Sequence, residues 1–423
     1  MSKKIKVLVV PSDRTGVGYF RSTKPHIALE QNYPNEFHVD IDYEPKLNDD
    51  NWLKQYDIIH YHRTLGPYER CNEFVEKANK LGIITIMDID DHWSPGQHHP
   101  AYLMIKNSEM DKKILKNIKG ATNITTTTPI FADEIKRFNN NSIHVLPNAI
   151  DPNEKQYIPN PESSDRLRIG WLGGSSHLKD LEILEGMVGK LKGDGLLDKV
   201  QFVVCGFDLR GSITMIDENG KQTQRPIRPK ESVWYKYEQI FTSNYSTVSE
   251  EYKDFLLSFK KGEYEGIANE PYRRVWTKPI STYATNYNFF DVSLAPIVEH
   301  NFNRVKSQLK VIEAGFHKKA IIAQDYGPYQ IDLENYYEKP KKGQQIPDTN
   351  PNGNALLVRT SKNHKDWYRN VKKLILNPNM VEDLSMKLHN TVKDTYSIDA
   401  VTSKRRDLYL KLLKEVKKPE IVA

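Results

Sequence analysis

The sequence predicts an α/β protein made of two Rossmann-like βαβ domains in tandem. Three observations carry this. Two series of short apolar runs alternate with amphipathic helical patterns. A Pro- and Asn-rich connector, PNAIDPNEKQYIPNPESSD (147–165), separates the two series. The chain, at 423 residues, is too long for one ordinary core. Strand runs that are apolar on both faces imply parallel sheets covered by helices on each side. Ligands then belong at the carboxyl ends of the strands.

The first series, domain 1–150, has strand runs IKVLVV (5–10), FHVDIDY (37–43), DIIHYH (57–62), IITIMDI (83–89), NITTTT (123–128) and IHVLP (143–147). Helical patterns follow at 21–33, 68–81, 101–118 and 129–138. Beyond the linker, taken as 151–165, the second domain (166–395) has strand runs at 167–173, 200–206, 291–296, 320–324 and 355–359. Its rhythm breaks at about 208–281. That stretch is too long for a bare connection and reads as an insertion with a hairpin and Tyr-rich helices. Helical patterns fill 362–418, ending in a C-terminal helix over 396–423.

Composition excludes several classes. A hydrophobic share of 38% with 27% charged residues is that of an ordinary globular protein. The net charge of +6 permits anion binding but does not by itself indicate nucleic acid. Only Cys71 and Cys205 are present, far apart, which argues for a reducing compartment and against a disulfide framework. The apolar run at the start is too short for a signal peptide, and no window approaches 18 apolar residues. The expectation is a cytoplasmic protein with no stable membrane insertion.

Candidate chemistry begins at 291–325, DVSLAPIVEHNFNRVKSQLKVIEAGFHKKAIIAQD, read as strand, loop, helix (305–316) and strand. Val305, Leu309, Ile312 and Phe316 form a core-facing set. Lys306, Lys310 and Glu313 fall on a neighbouring polar stripe. Two lysines at i, i+4 repel unless an anion sits between them, and a helix start already favours phosphate. Glu313 has two oxygens able to bridge a vicinal diol such as a ribose. A solvated face with a Lys310–Glu313 pair fits the spacing equally well.

Other loops offer further candidates. Gly16 and Gly18 in PSDRTGVGYFR, with Arg21 after them, fit either close backbone approach to a ligand or a plain βα turn. His60 and His62 share one strand face, which fits either a metal site or packed side chains. Asp88, Asp90, Asp91 and His92 form the most acidic cluster, read as a metal motif or as an acceptor or catalytic-face loop. Gly173 and Gly174, with His177 and Lys179, make a strand-to-helix turn that suits a phosphate or merely caps a helix. From Leu209 to Lys236 the insertion has six Lys/Arg and three Asp/Glu beside Trp234, fitting either stacked nucleic acid or solvated surface.

The residues Asn303, Lys306, Ser307, Lys310 and Glu313, reading N-x-x-K-S-x-x-K-x-x-E before Ala314, Gly315 and AIIAQD, resemble the donor-binding element of retaining GT-B-fold glycosyltransferases (glycosyltransferase group 1, family 4-like). PNAID (147–151), IGWLGGSSHLKD (169–180) and TTTTPIFADEI (125–135) resemble further elements of that family. The family's E-x7-E pattern has an acid where this chain has Val305. The resemblance implies two domains facing across a cleft, with the acceptor on the first and a nucleotide-diphosphate sugar on the second. It implies that Glu313 holds the ribose, and that Asn303, Lys306, Ser307, Lys310 and the 173–179 loop bind the donor. Loop residues Gly16 and Gly18 lie over the same donor. The resemblance takes His62 of the H-x-H as the cleft residue and leaves His60 structural. His62, Asp90 and Asp91 join Lys306 as catalytic-face residues, while Arg21, Asp88, His92 and Trp234 fall on the acceptor side. Neither a metal nor another cofactor is expected. The acceptor is left as a glycan, a protein or a modified DNA base. Alternatives of the same fold are a sugar-nucleotide epimerase and a non-catalytic nucleotide- or glycan-binding module.

Overall fold

Each apolar run of the first series forms a strand. They are β1 (Ile5–Val10), β2 (Phe37–Ile41), β3 (Ile58–His62), β4 (Ile84–Ile89), β5 (Asn123–Thr126) and β6 (Ser142–Val145). The computed structural model describes residues 3–216, 221–336, 350–359 and 362–416. The six strands are all parallel, in the order β2-β1-β3-β4-β5-β6. Central β3 and β4 are buried throughout, whereas edge strands β2 and β6 are half-exposed. Burial on both faces is why the central runs lack apolar–polar alternation.

The second sheet contains β7 (Leu167–Leu172), β8 (Val200–Phe207), β11 (Tyr272–Trp276), β12 (Val292–Ala295), β13 (Ala320–Gln324) and β14 (Leu356–Val358). A separate antiparallel hairpin joins β9 (Ser212–Ile216) to β10 (Gln222–Pro226). The large sheet is parallel, in the order β11-β8-β7-β12-β13-β14. The order reverses direction between β7 and β12, which marks the ligand-binding crevice of such sheets.

The chain divides into two units. One takes Met1–Glu154, His300–Ile312 and the chain from Val392; the other takes Lys155–Glu299 and Glu313–Thr391. Three differences from the sequence reading follow. Linker residues past Glu154 belong to the second unit, where Glu162 N–H donates to Asn288 O (3.1 Å). The expected insertion also supplies β11, a strand of the main sheet. Finally, residues 300–312 and the helix Ile398–Val416 belong to the first unit. There Ile150 and Ser397 form a parallel bridge, and Leu408, Tyr409 and Leu412 join the core under β1. The hairpin tip 217–220 and the end of the expected C-terminal helix lie outside the described residues. No described helix is long and apolar enough to cross a membrane.

The helix expected at 305–316 is two pieces, Asn301–Arg304 and Leu309–Phe316. Between them Val305 is fully buried in the first unit's core. Asn148 Nδ2 donates to Ser307 Oγ (3.1 Å), and Gln308 Nε2 donates to Tyr396 Oη (3.0 Å). These tertiary contacts hold 305–308 out of helix. Lys306 therefore precedes the second helix, and the two-lysine stripe on one helix does not form.

Candidate functional site

In the first unit, the loop after β1 folds on Asp13. Its Oδ1 accepts from Thr15 N–H (2.7 Å), Thr15 Oγ1 (2.7 Å) and Gly18 N–H (3.2 Å). A Cβ on Gly18 would meet Asp13 O at 1.9 Å, so its glycine is required by this turn. Gly16 opens the helical turn and is half-buried. A π-helical turn, Gly18–Thr23, then carries Arg21 inward.

Arg21 is 1% exposed and Asp88 fully buried. Arg21 Nε and NH2 donate to the Asp88 carboxylate at 2.9 and 2.8 Å, and Arg21 NH1 donates to Leu146 O (2.8 Å) and Asn148 Oδ1 (3.1 Å). Thr125 Oγ1 donates to Asp88 Oδ1 at 2.6 Å. Burial opposes the charge on Asp88, yet the Arg21 guanidinium holds its carboxyl below the usual range. This pair ties four segments together inside the unit. It corrects the acceptor-side role expected of Arg21 and Asp88, since neither side chain reaches the surface.

Asp90, two residues on, lies at the carboxyl edge instead. Its Oδ1 accepts from His62 Nε2 (2.9 Å) and Arg63 NH2 (3.0 Å). Burial raises its pKa, but His62 and Arg63 outweigh that and hold it well below the ordinary value. Asp91 goes the other way: burial and the Asp90 charge beside it raise its pKa, while Arg63 and Lys306 pull against them. Arg63 occupies the left-handed region (φ 60°), an uncommon conformation for a non-glycine residue that concentrates at functional sites. His62, Arg63, Asp90, Asp91 and Lys306 thus form one charged cluster in this unit. His60 is fully buried, its ring is 4.4 Å from that of His26, and burial lowers its pKa to about 3. His92 stacks on Trp93 (4.2 Å) and accepts from Ser94 N–H at Nδ1.

A cavity of about 890 Å³ opens at the carboxyl ends of β1, β2 and β3, with Ser12, Tyr43, Lys46, His62, Thr64 and Phe74 among its walls. It sits beside the switch point of the first sheet. Neither the 43–49 loop nor Arg63 was among the sequence candidates. A left-handed residue after a strand leaves no mark in a single sequence.

In the second unit the switch-point loop after β7 is pinned by a tyrosine. His177 N–H donates to Tyr237 Oη (3.0 Å), and Tyr237 Oη donates to Gly174 O (3.2 Å). A Cβ on Gly173 would strike the Trp171 ring at 2.4 Å, whereas one on Gly174 would meet nothing within 4 Å. His177 Nδ1 donates to Asp180 Oδ2 (2.7 Å), and Val298 N–H donates to Asp180 Oδ1 (2.8 Å). Asp180 thereby joins the loops after β7 and β12, a role the sequence reading missed. Lys179 pairs with Glu182 on the surface (2.7 Å). Trp234 is 4% exposed and packs on Trp171, Phe207 and Tyr237. It is core, which corrects its acceptor-side assignment.

Glu313 is 3% exposed. Tyr287 Oη donates to its Oε2 (3.1 Å), and its Oε1 has no hydrogen-bond partner among the described residues. Burial alone pushes its pKa well above the carboxylate range. The expected Lys310–Glu313 surface pair is therefore replaced by a buried carboxyl. Of the remaining candidates, Asn303 is buried while Lys306, Ser307 and Lys310 are half-buried, with Lys306 Nζ 5.2 Å from the Phe302 ring centre.

Two parallel six-stranded sheets with these orders define a two-domain Rossmann-like α/β fold of the GT-B type. The chain is similar to sucrose-phosphate synthase from Thermosynechococcus elongatus, at 12% identity over 98% of this chain and 100% of that one (TM-score 0.57). It is similar to Anabaena Alr3699/HepE in complex with UDP and glucose, at 10% identity over 96% and 100% (TM-score 0.58). It is also similar to the catalytic domain of Arabidopsis thaliana starch synthase IV bound to ADP and acarbose, at 11% identity over 97% and 99% (TM-score 0.55). No family model and no curated protein sequence matches the chain.

Proposed function

We propose that this chain is a cytoplasmic glycosyltransferase that moves a sugar from a nucleotide-diphosphate sugar to an acceptor hydroxyl, with retention and without a metal. The observation that carries the reading is Glu313, a buried carboxyl with one oxygen tied to Tyr287 and the other without a partner among the described residues. A buried polar atom left without a partner costs free energy, and a ribose hydroxyl is a donor that would satisfy it. The switch-point loop 173–177 is the matching place for a diphosphate on this unit. The fold likeness to proteins solved with UDP or ADP supports the same assignment.

Breaking a sugar–phosphate bond builds negative charge on the leaving diphosphate, and fixed donors aimed at it are the main lever. Lys306, Lys310 and Ser307 are assigned to that charge by resemblance. In the first unit, Asp90 holds His62 through Nε2 at the wall of the 890 Å³ cavity, which we assign to the acceptor. A glycan, protein or DNA base would present the acceptor hydroxyl there.

A second reading, a nucleotide-binding module without turnover, is favoured by Val305, which fills a core position where the family pattern has an acid. Calorimetry against UDP, ADP, GDP and their sugar conjugates, followed by a turnover assay on any binder with and without acceptor, separates these. Binding with acceptor-dependent release of the diphosphate supports transfer. Conversion of the nucleotide sugar alone indicates an epimerase, and binding without turnover indicates the module. No nucleotide binding overturns the proposal.

A further inference from the structure

We propose that Tyr287 is the positioning residue for Glu313, tying down Oε2 so that Oε1 alone is presented to a ligand hydroxyl; this rests on the reading of Glu313 as a nucleotide-binding residue. Tyr287 lies on the helical turn Tyr283–Phe289 before β12, whereas Glu313 lies on the helix after it. The hydrogen bond therefore crosses between elements and fixes the carboxyl against rotation. Tyr287 is itself held. It is 1% exposed, its ring stacks on His317 (4.9 Å, 12° between planes), and Phe290 packs against it at 5.0 Å. His317 is one helical turn beyond Glu313, and its N–H donates to Glu313 O (3.0 Å). Tyr and His thus form a rigid stacked floor below the carboxyl.

Buried phenols and an imidazole surround Glu313. Burial raises the pKa of Tyr287 well above its ordinary value. Burial lowers His317 to about 3, and Tyr157 packs on the His317 ring at 5.8 Å. Tyr329, near Tyr287, is a further buried phenol with a raised pKa. Lys319, beyond His317, has its pKa lowered by burial to about 8, and its charge counts among the causes of the His317 shift. The Tyr287 hydroxyl makes the one hydrogen bond to the Glu313 carboxyl among the described residues, and a donor to a carboxylate favours the ionised form. With Oε2 occupied, the two lone pairs of Oε1 can accept both hydroxyls of a ribose.

The test uses the full chain with Tyr287→Phe, Glu313→Gln and the double variant. The ionisation of Glu313 is followed by its carboxyl infrared band as the difference between wild type and Glu313→Gln. Losing one hydrogen bond to an ionised group should move that midpoint up by about one to two pH units in Tyr287→Phe. UDP and ADP serve as binding probes between pH 5 and 9. In the wild type the affinity for the probe should rise with pH as Glu313 ionises. Tyr287→Phe should weaken it about tenfold at pH 7 and shift the profile upward, whereas in the Glu313→Gln background Tyr287→Phe should change nothing further. An unmoved infrared midpoint overturns the tie whether or not a nucleotide binds. A binding loss from Tyr287→Phe that persists in the Glu313→Gln background shows a merely structural role and also overturns it. Should the midpoint shift while neither UDP nor ADP binds, the tie stands and the nucleotide reading of Glu313 fails.

Discussion

Replacing Asp88 with Asn keeps the side-chain shape and removes one charge from the buried Arg21–Asp88 pair, whose side chains are 1% and 0% exposed. Asp88 accepts two hydrogen bonds from Arg21 and one from Thr125, and the amide in its place has only one accepting oxygen. Arg21 would be left as a buried, uncompensated cation. Breaking one side of such a pair costs about 3–5 kcal/mol. For a unit of 150–250 residues, that corresponds to a melting temperature lower by roughly 6–20 °C. Because the folded pKa of Asp88 lies below its unfolded value, its contribution is complete above about pH 4 and lost only as pH falls further. The loss should therefore be flat between pH 6 and 8. Calorimetric melting of the full chain measures it. Replacing both partners, Arg21→Met with Asp88→Leu, should recover much of the stability, because the unpaired charge is gone. A melting temperature for Asp88→Asn within about 2 °C of wild type, with a raised KM for acceptor, would refute this and return both residues to the acceptor surface.

Trp234→Ala should destabilise the second unit by about 3–5 kcal/mol through the cavity it leaves, measured by urea unfolding; an unchanged midpoint would count against a core position. His26 and His60 are buried with lowered pKa values, His60 to about 3, so the stability they carry is full above about pH 6.5 and erodes as pH falls toward 3. Melting between pH 7 and 4 should show that slope, and His60→Leu should flatten it. Lys306→Ala should lower kcat for the transferred sugar by roughly 10²–10³ with little change in melting temperature; normal turnover would remove Lys306 from the site. Turnover should persist in excess chelator, and a reversible loss restored by magnesium or manganese would make Asp90 and Asp91 metal ligands.

Period and apolarity made both sheets legible, because β3, β4, β7 and β8 are buried on both faces and leave continuous apolar runs. The same rule hid β11, YRRVW, whose middle is two arginines. Their burial is possible only because Arg274 pairs with Glu238 (2.6 Å) and Arg273 with Glu162 and Glu263 (both 2.8 Å), acids that the run itself does not contain. Asp88 and Asp90 look alike in sequence, yet one ends inside β4 and the other beyond it, so their fates diverge by a single turn of chain. The Lys306–Lys310 stripe required an unbroken helix, and what breaks it are partners 159 and 88 residues away in sequence. Spacing and resemblance singled out Glu313; that it is buried, and that Tyr287 Oη donates to it, was not legible.

The return of the Ile398–Val416 helix to the first unit has a consequence for synthesis. His26 Nδ1 donates to Ser22 O (2.6 Å), so its Nε2 accepts from Tyr409 Oη (2.7 Å), a residue 383 positions later. At ribosomal rates of 5–20 residues per second, roughly 20–75 s separate the emergence of these two partners. During that interval the apolar floor under β1, made of Val7, Val9, Leu29 and Phe37, lacks Leu408, Tyr409 and Leu412. The segment that begins the chain is thus among the last to be completed. The nascent first unit carries an uncovered hydrophobic face throughout synthesis, and the second unit, whose own segments are finished by Thr391, has all its strands before the first is sealed.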